Sequence, residues 1–160
     1  MASRERFTIR PARLNDLATL VQHRRLMWEN MGEKDARELR KADKAYRAWA
    51  RARIRNKTMR GWIVENSETK IVGSGCLWLQ PVQPRPGRSK GLQPYLLSMY
   101  TMPQYRGKGL ASRIVREAVN WTRRNKYDAL KLHASEMGRG VYGKLGFVRS
   151  WEMRRNLPNR

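Results

Sequence analysis

The feature that most restricts this fold is a junction. The apolar run "PYLLSMYTMP" stops at "QYRGKGLAS", and a helical pattern begins at once. A strand that enters a helix through such a turn presents the helix's first backbone N–H groups at the positive end of its dipole. Glycine there lets an anion reach the backbone with no Cβ in the way, so phosphate is the natural ligand. Two common phosphate loops do not fit. A Walker A loop needs glycine, four residues, then Gly-Lys-Ser/Thr. A dinucleotide fingerprint needs a third glycine where Ser112 stands and an acid ending the next strand, whereas Asp128 begins it. The pattern Gln/Arg-x-x-Gly-x-Gly/Ala does fit, in two overlapping registers, Gln104 to Gly109 and Arg106 to Ala111.

Periodicity places elements on either side. "RFTIR" reads as a strand stopped by Pro11; Leu14, Leu17, Leu20, Val21, Met27 and Met31 then recur at helical spacing, closed by Gly32. A second helix carries Leu39, Ala42, Tyr46, Trp49, Ala50 and Ile54 on one stripe. "GWIVEN" and "KIVGSGCLWL" form a hairpin around "NSETK", and the proline- and glycine-rich residues 80–94 are a surface connection. After the glycine loop, Leu110, Ile114, Val115, Ala118 and Trp121 mark a helix. The strand "ALKLHA", a short helix over "GRGVYGKL" and a last strand "FVRSWEMRR" follow. Early strands adjoin and late ones alternate with helices, which predicts an α+β fold with a mixed sheet of about six strands and about four helices. One domain over residues 1–160 is expected.

Composition narrows the function. No apolar run is long enough to cross a bilayer, and "MASRERFTIRP" lacks the apolar core of a signal peptide. The expectation is a soluble cytoplasmic protein with no membrane partner. The single Cys76 excludes an internal disulfide and reads as a buried small side chain. With only His23 and His133 beside it no zinc spacing exists, so no metal is expected. Lys plus Arg number 35 against 13 acidic residues, a net charge of +22. A surface this positive attracts polyanions. Residues 34–60 hold eleven basic and three acidic side chains. They read either as the solvated face of a basic helix or as a surface for an acidic partner, nucleic acid included.

A second stretch joins the first. In "SEMGRGVYGKLGF", residues 135–147, Tyr142, Lys144, Gly146 and Phe147 spell Tyr-x-Lys-x-Gly-Phe, one helix and one strand beyond the glycine loop. Together with "MYTMP" and the loop, this resembles the GNAT (Gcn5-related) N-acetyltransferase superfamily. The motifs cover residues 95–151 and the element order nearly the whole chain. The resemblance implies the GNAT fold, with the sheet splayed between the strand before the loop and the strand after the next helix. Pantetheine enters that gap like an added strand. It also implies acetyl-CoA as co-substrate and transfer of an acetyl group to a primary amine by direct attack.

The same resemblance implies roles. Backbone groups of Met99, Tyr100 and Thr101 face the pantetheine arm and the thioester. Amides from Arg106 through Gly107, Lys108, Gly109, Leu110 and Ala111 hold the pyrophosphate, flanked by Gln104 and Ser112. The family's asparagine seven residues before the tyrosine is Ser135 here, a shorter donor. Tyr142 is the general acid for the leaving thiolate, and a backbone N–H near Thr101 serves the thioester carbonyl. Neither "PYLLSMYTM" nor "ALKLHAS" holds a carboxylate, so the base stays unassigned among Glu136, Glu65, Glu29, His133 and a water chain. His133 alternates with Leu130 and Leu132 and reads as a satisfied structural histidine. Trp28, Glu29 and Met31 wall the acceptor pocket, although Trp28 and Met31 read equally as core.

The acceptor is a small molecule or a protein. With so few carboxylates an acidic acceptor, or one carried on an acidic macromolecule, suits the charge better than a polyamine. Two other classes stay open: an acyl-CoA-binding sensor, and a basic RNA-associated protein using the fold as scaffold. The last strand offers an edge for a homodimer.

Overall fold

The structure is a computed structural model that describes residues 5–158. The described residues form one sheet of five strands in chain order: β1 (Thr8–Pro11), β2 (Met59–Glu65), β3 (Ile71–Pro81), β4 (Leu92–Thr101) and β5 (Lys131–Leu132). The first four pair antiparallel, and β5 joins β4 in parallel. The helices are α1 (Leu17–Asn30), α2 (Ala36–Arg55), α3 (Leu110–Arg124) and α4 (Arg139–Lys144). The mixed α+β arrangement expected from the element order is present.

Strand alternation explains why both faces of the sheet are covered. Trp62, Val64, Leu77 and Leu96 point to one side, where Leu110, Ile114, Val115 and Ala118 of α3 close over them; Val72 joins them from a bulge, the extra residue between the pairs Val64–Gly73 and Glu65–Ile71. Ile63 and Cys76, each one residue out of phase, point to the other, against Leu17, Leu20 and Val21 of α1 and Tyr46 and Ala50 of α2. Burial pushes the Cys76 thiol up to about 12, as expected of a small core side chain. Asp35 caps α2 by accepting from the amides of Arg37 and Glu38 at 2.9 and 3.1 Å. Gly32, at φ 101°, ends the first helix where its sequence pattern stops.

The sheet changes phase in β4. Ser74 lies opposite Tyr100 and Cys76 opposite Leu97, so β4 carries one residue more than β3 across this interval. Ser98 absorbs it with φ 54°, left-handed backbone that a non-glycine residue adopts at a cost. Without the extra residue Tyr100 would share the face of Leu96. With it, Met99 packs on the α3 side and Tyr100 turns towards α1. Gly75 makes room for this. A Cβ there would lie 2.4 Å from Met99 Sδ and 2.7 Å from Ile114 Cγ2. The methionine tip can move, but Ile114 is β-branched and fully buried. Gly75→Ala is therefore expected to lower unfolding stability by about 1–3 kcal/mol, measured by urea denaturation.

The end of the chain departs from expectation. "FVRSWEMRR" alternates like a strand yet forms none: Val148, Trp151 and Met153 are 90, 98 and 93 % exposed. The reason lies next to it. "ALKLHA" contributes only Lys131 and Leu132 to the ladder, too short an edge to template a further strand. No helix among the described residues is long and apolar enough to cross a membrane.

Candidate active site

The glycine loop is built as the junction requires. A single helical turn at Pro103–Tyr105 ends β4, and α3 starts at Leu110 with Gly109 as its cap. Gly107 and Gly109 both hold φ 75°, where a side chain is strained. The amide of Arg106 is taken by Pro103 O and that of Arg113 by Gly109 O. Between them, no described residue accepts from the amides of Gly107 through Ser112. A Cβ on Gly107 or Gly109 would meet nothing within 4 Å, so the loop opens outward. Free N–H groups over a helix N-terminus form an anion cradle.

Side chains around the cradle divide by role. Leu110 is buried in the core and offers only its amide; Ala111 and Ser112 are half-buried, and Gln104 is exposed. Arg106 Nε donates to Thr101 O at 3.0 Å, pinning the loop to the end of β4. Lys108 Nζ sits 2.6 Å from Glu5 Oε2 and close to the rings of Phe7 and Tyr105. Both cations are partly engaged within the chain.

Beside the cradle the sheet is open. β5 pairs with β4 only at Tyr95 and Leu96, so on that side Met99, Tyr100 and Thr101 have no strand partner. The Tyr100 ring is buried and lies 4.8 Å from the ring of His23. His23 Nδ1 in turn hydrogen-bonds Ser74 Oγ at 2.8 Å. His23 and Ser74 are 51 positions apart, and from the sequence His23 reads only as a soft metal ligand. Its spacing of three and four from Leu20 and Met27 was the available signal.

Burial lowers the His23 pKa to about 4. Between that value and the unfolded value near 6.5, the unfolded chain binds a proton that the folded chain refuses. Stability therefore falls as pH drops through about 6.5 and levels off below about 4. Taking wild type from pH 7.5 to pH 5 should cost about 2 kcal/mol of unfolding free energy through this residue, and His23→Gln should flatten that slope in urea titrations.

The closing motif approaches the same core from α4. Tyr142 is half-buried and packs edge-on against Phe147, with ring centroids 5.8 Å apart at 67°. Both rings rest on the core cluster that also receives Met99, Met102 and Tyr105, which ties the motif to the loop. Burial pushes the Tyr142 phenol above its usual value, so it stays protonated. A Cβ at Gly138 would stand 3.0 Å from Tyr142 Cε2, so a side chain at this position would crowd the ring. Ser135 Oγ accepts from the Gly138 N–H at 3.2 Å, engaging the hydroxyl in the turn that starts α4.

The structure sorts the base candidates. Glu65 is paired with Arg10 at 2.9 Å and Glu29 with Arg25 at 3.0 Å. Glu136 and His133 line a cavity of about 770 Å³ that Tyr142 also borders. His133 is exposed, contrary to the structural role expected of it, because β5 ends one residue before it. The buried, hydrogen-bonded histidine is His23 instead. Trp28 and Met31, 37 and 60 % exposed, are not core and stand with Glu29 at the end of α1. Among the described residues no cluster of three His, Cys, Asp or Glu side chains suits a metal ion.

Comparison with known proteins agrees with this geometry. A sequence model of the acetyltransferase (GNAT) family matches residues 20–147. No curated protein sequence matches the chain. Among solved structures, a GCN5-related N-acetyltransferase from Ralstonia eutropha JMP134 is 24 % identical over 95 % of this chain and 99 % of its own, with a TM-score of 0.84. A predicted acetyltransferase from Clostridium acetobutylicum, solved with acetyl-CoA, is 25 % identical over 95 % and 96 %, with a TM-score of 0.85. An acetyltransferase from Trypanosoma brucei is 24 % identical over 95 % and 100 %, with a TM-score of 0.68. Since the family match runs from within the first helix to the phenylalanine of the closing motif, the chain belongs to the GNAT family and is an N-acetyltransferase, with acetyl-CoA as the family's co-substrate.

Proposed function

We propose that this chain binds acetyl-CoA across the glycine loop and the open edge of β4, and transfers the acetyl group to a primary amine by direct attack. The observation that carries this reading is the run of free amides from Gly107 through Ser112 at the start of α3. Pyrophosphate oxygens on these amides would satisfy a whole helix terminus at once. The pantetheine arm then lies along Met99, Tyr100 and Thr101, where β4 lacks a partner. Gln104, Arg106 and Lys108 flank the phosphates. Ser135, with its hydroxyl oxygen engaged in a turn, keeps its O–H free to donate to the coenzyme.

In the reaction the amine nitrogen attacks the thioester carbonyl carbon and the C–S bond breaks. Tyr142 gives its phenolic proton to the departing thiolate. The carbonyl oxygen takes a hydrogen bond from a β4 amide near Thr101 as it gains charge. The ammonium proton leaves through Glu136, His133 or water, and of these the first two share the cavity that Tyr142 borders. The acceptor, a small molecule or a protein, approaches past Trp28, Glu29 and Met31. The lone buried thiol of Cys76 supports a reducing, cytoplasmic setting. The exposed apolar side chains of residues 148–157 support a homodimer.

The test is a calorimetric titration with acetyl-CoA at about 0.3 M salt, with ATP as the control, because a strongly basic protein binds anions weakly at low ionic strength. Saturable binding near 1:1, tighter than for ATP, is the expected result. Heat that follows ligand charge alone for both ligands overturns the assignment. Full binding without turnover across a panel of amines would favour an acyl-CoA sensor.

A further inference from the structure

Helix α2 carries a charge pattern that acetyl transfer does not use. Leu39, Tyr46 and Ala50 face the core, and Asp43 turns aside to Arg25 at 2.6 Å. On the opposite face Arg37, Arg40, Lys41, Lys44, Arg47, Arg51 and Arg55 are all exposed. At 3.6 residues per turn they fall within an arc of about 120°, in a stripe about 27 Å long. Lys41 is held by Glu38 at 2.7 Å; among the described residues the other six have no carboxylate partner. Like charges three and four positions apart oppose helix formation, so the isolated chain works against this arrangement. An extended anion would relieve it.

The chemistry of the stripe selects among extended anions. Five of the six unpaired cations are arginine, whose planar fork matches phosphate oxygens. A lipid surface fits poorly, since the apolar side of α2 is spent on the core and none of its large apolar residues is exposed. Single strands fit poorly too, because stacking on bases needs open aromatic faces. Tyr46 is buried, while Trp49 stacks on Tyr46 and is covered by Arg53 at 4.2 Å. What remains is a straight row of charges with nothing to read bases, which matches the backbone of a double helix. We propose that the outer face of α2 binds the phosphate backbone of duplex nucleic acid, irrespective of base sequence. This surface is independent of the acetyl-transfer reading and stands or falls without it.

The test compares two variants of equal net charge. One is Arg40→Gln, Lys44→Gln, Arg47→Gln and Arg51→Gln together. The control is Lys70→Gln, Arg85→Gln, Arg116→Gln and Arg123→Gln, four exposed cations away from α2. Fluorescence anisotropy reads binding of duplex RNA, duplex DNA and a single strand, each of about 20 nucleotides per strand, between about 0.05 and 0.2 M salt. Each phosphate contact contributes about 0.9 to the slope of log affinity against log salt, so the α2 variant should lose about 3.6 of slope while the control keeps the wild-type value. If the quadruple variant does not fold by circular dichroism, the pairs Arg40→Gln/Lys44→Gln and Arg47→Gln/Arg51→Gln are each expected to lose about 1.8. Loss of slope confined to the α2 variant, with either duplex, supports the proposal, and the ratio of the two affinities identifies RNA or DNA as the source. Equal losses in both variants would mean that net charge alone binds. Tighter binding of the single strand, or equal competition by polyglutamate or anionic vesicles, overturns it as well.

Discussion

Replacing Tyr142 with phenylalanine should lower kcat by about 100-fold or more while leaving acetyl-CoA affinity within a factor of about two, the range expected when a positioned general acid is lost. The substitution is clean because the ring does the packing. Tyr142 meets Phe147 edge-on and rests on the α3-side core through carbon, not through its hydroxyl. Only the hydroxyl is removed. Its raised pKa gives the role a pH signature: the acid must be protonated to work, so activity should persist at pH values above those at which an ordinary phenol ionises. Single-turnover rates separate chemistry from product release. A phenylalanine variant that turns over at the wild-type rate would falsify the general-acid role.

Gly109→Asp should raise the Kd for acetyl-CoA by at least about 100-fold, or roughly 2.7 kcal/mol. Two effects combine. At φ 75° a side chain costs about 1–2 kcal/mol of backbone strain, which appears as lost stability. The carboxylate would also occupy the positive end of α3, in the open space beside amides that no described residue accepts from. Gly109→Asn separates these effects, since asparagine tolerates left-handed backbone and carries no charge. Calorimetry should find the asparagine variant much closer to wild type than the aspartate variant. If both lose affinity equally, geometry rather than anion repulsion governs the loop.

Much of the candidate site was legible because its parts are contiguous. The glycine loop, the strand before it and Tyr-x-Lys-x-Gly-Phe each occupy a short run of residues, and the rules that link glycine, helix termini and anions are local. The phase change in β4 was not legible. "YLLSMYTM" looks like an unbroken strand, and the extra residue at Ser98 exists only relative to β3. For the same reason no local pattern joins His23 to Ser74, and the alternation of His133 with Leu130 and Leu132 predicts for it the buried role that belongs to His23. The final strand failed in the opposite way. Its alternation is real, but a strand needs an edge to pair with, and β5 offers two residues.

Local pattern suffices for the element order up to the last strand, and for the glycine loop, the candidate acid Tyr142 and the excess of positive charge. These follow from side-chain periodicity, from glycine's freedom in the left-handed region and from counting charges, none of which needs a partner distant in the chain. The tertiary structure alone decided which sheet edge stays open, which histidine is buried, and that six cations of α2 stand together with no carboxylate partner among the described residues. Those depend on strand register and helix orientation, which are settled by contacts between residues far apart in sequence, where no local pattern reaches.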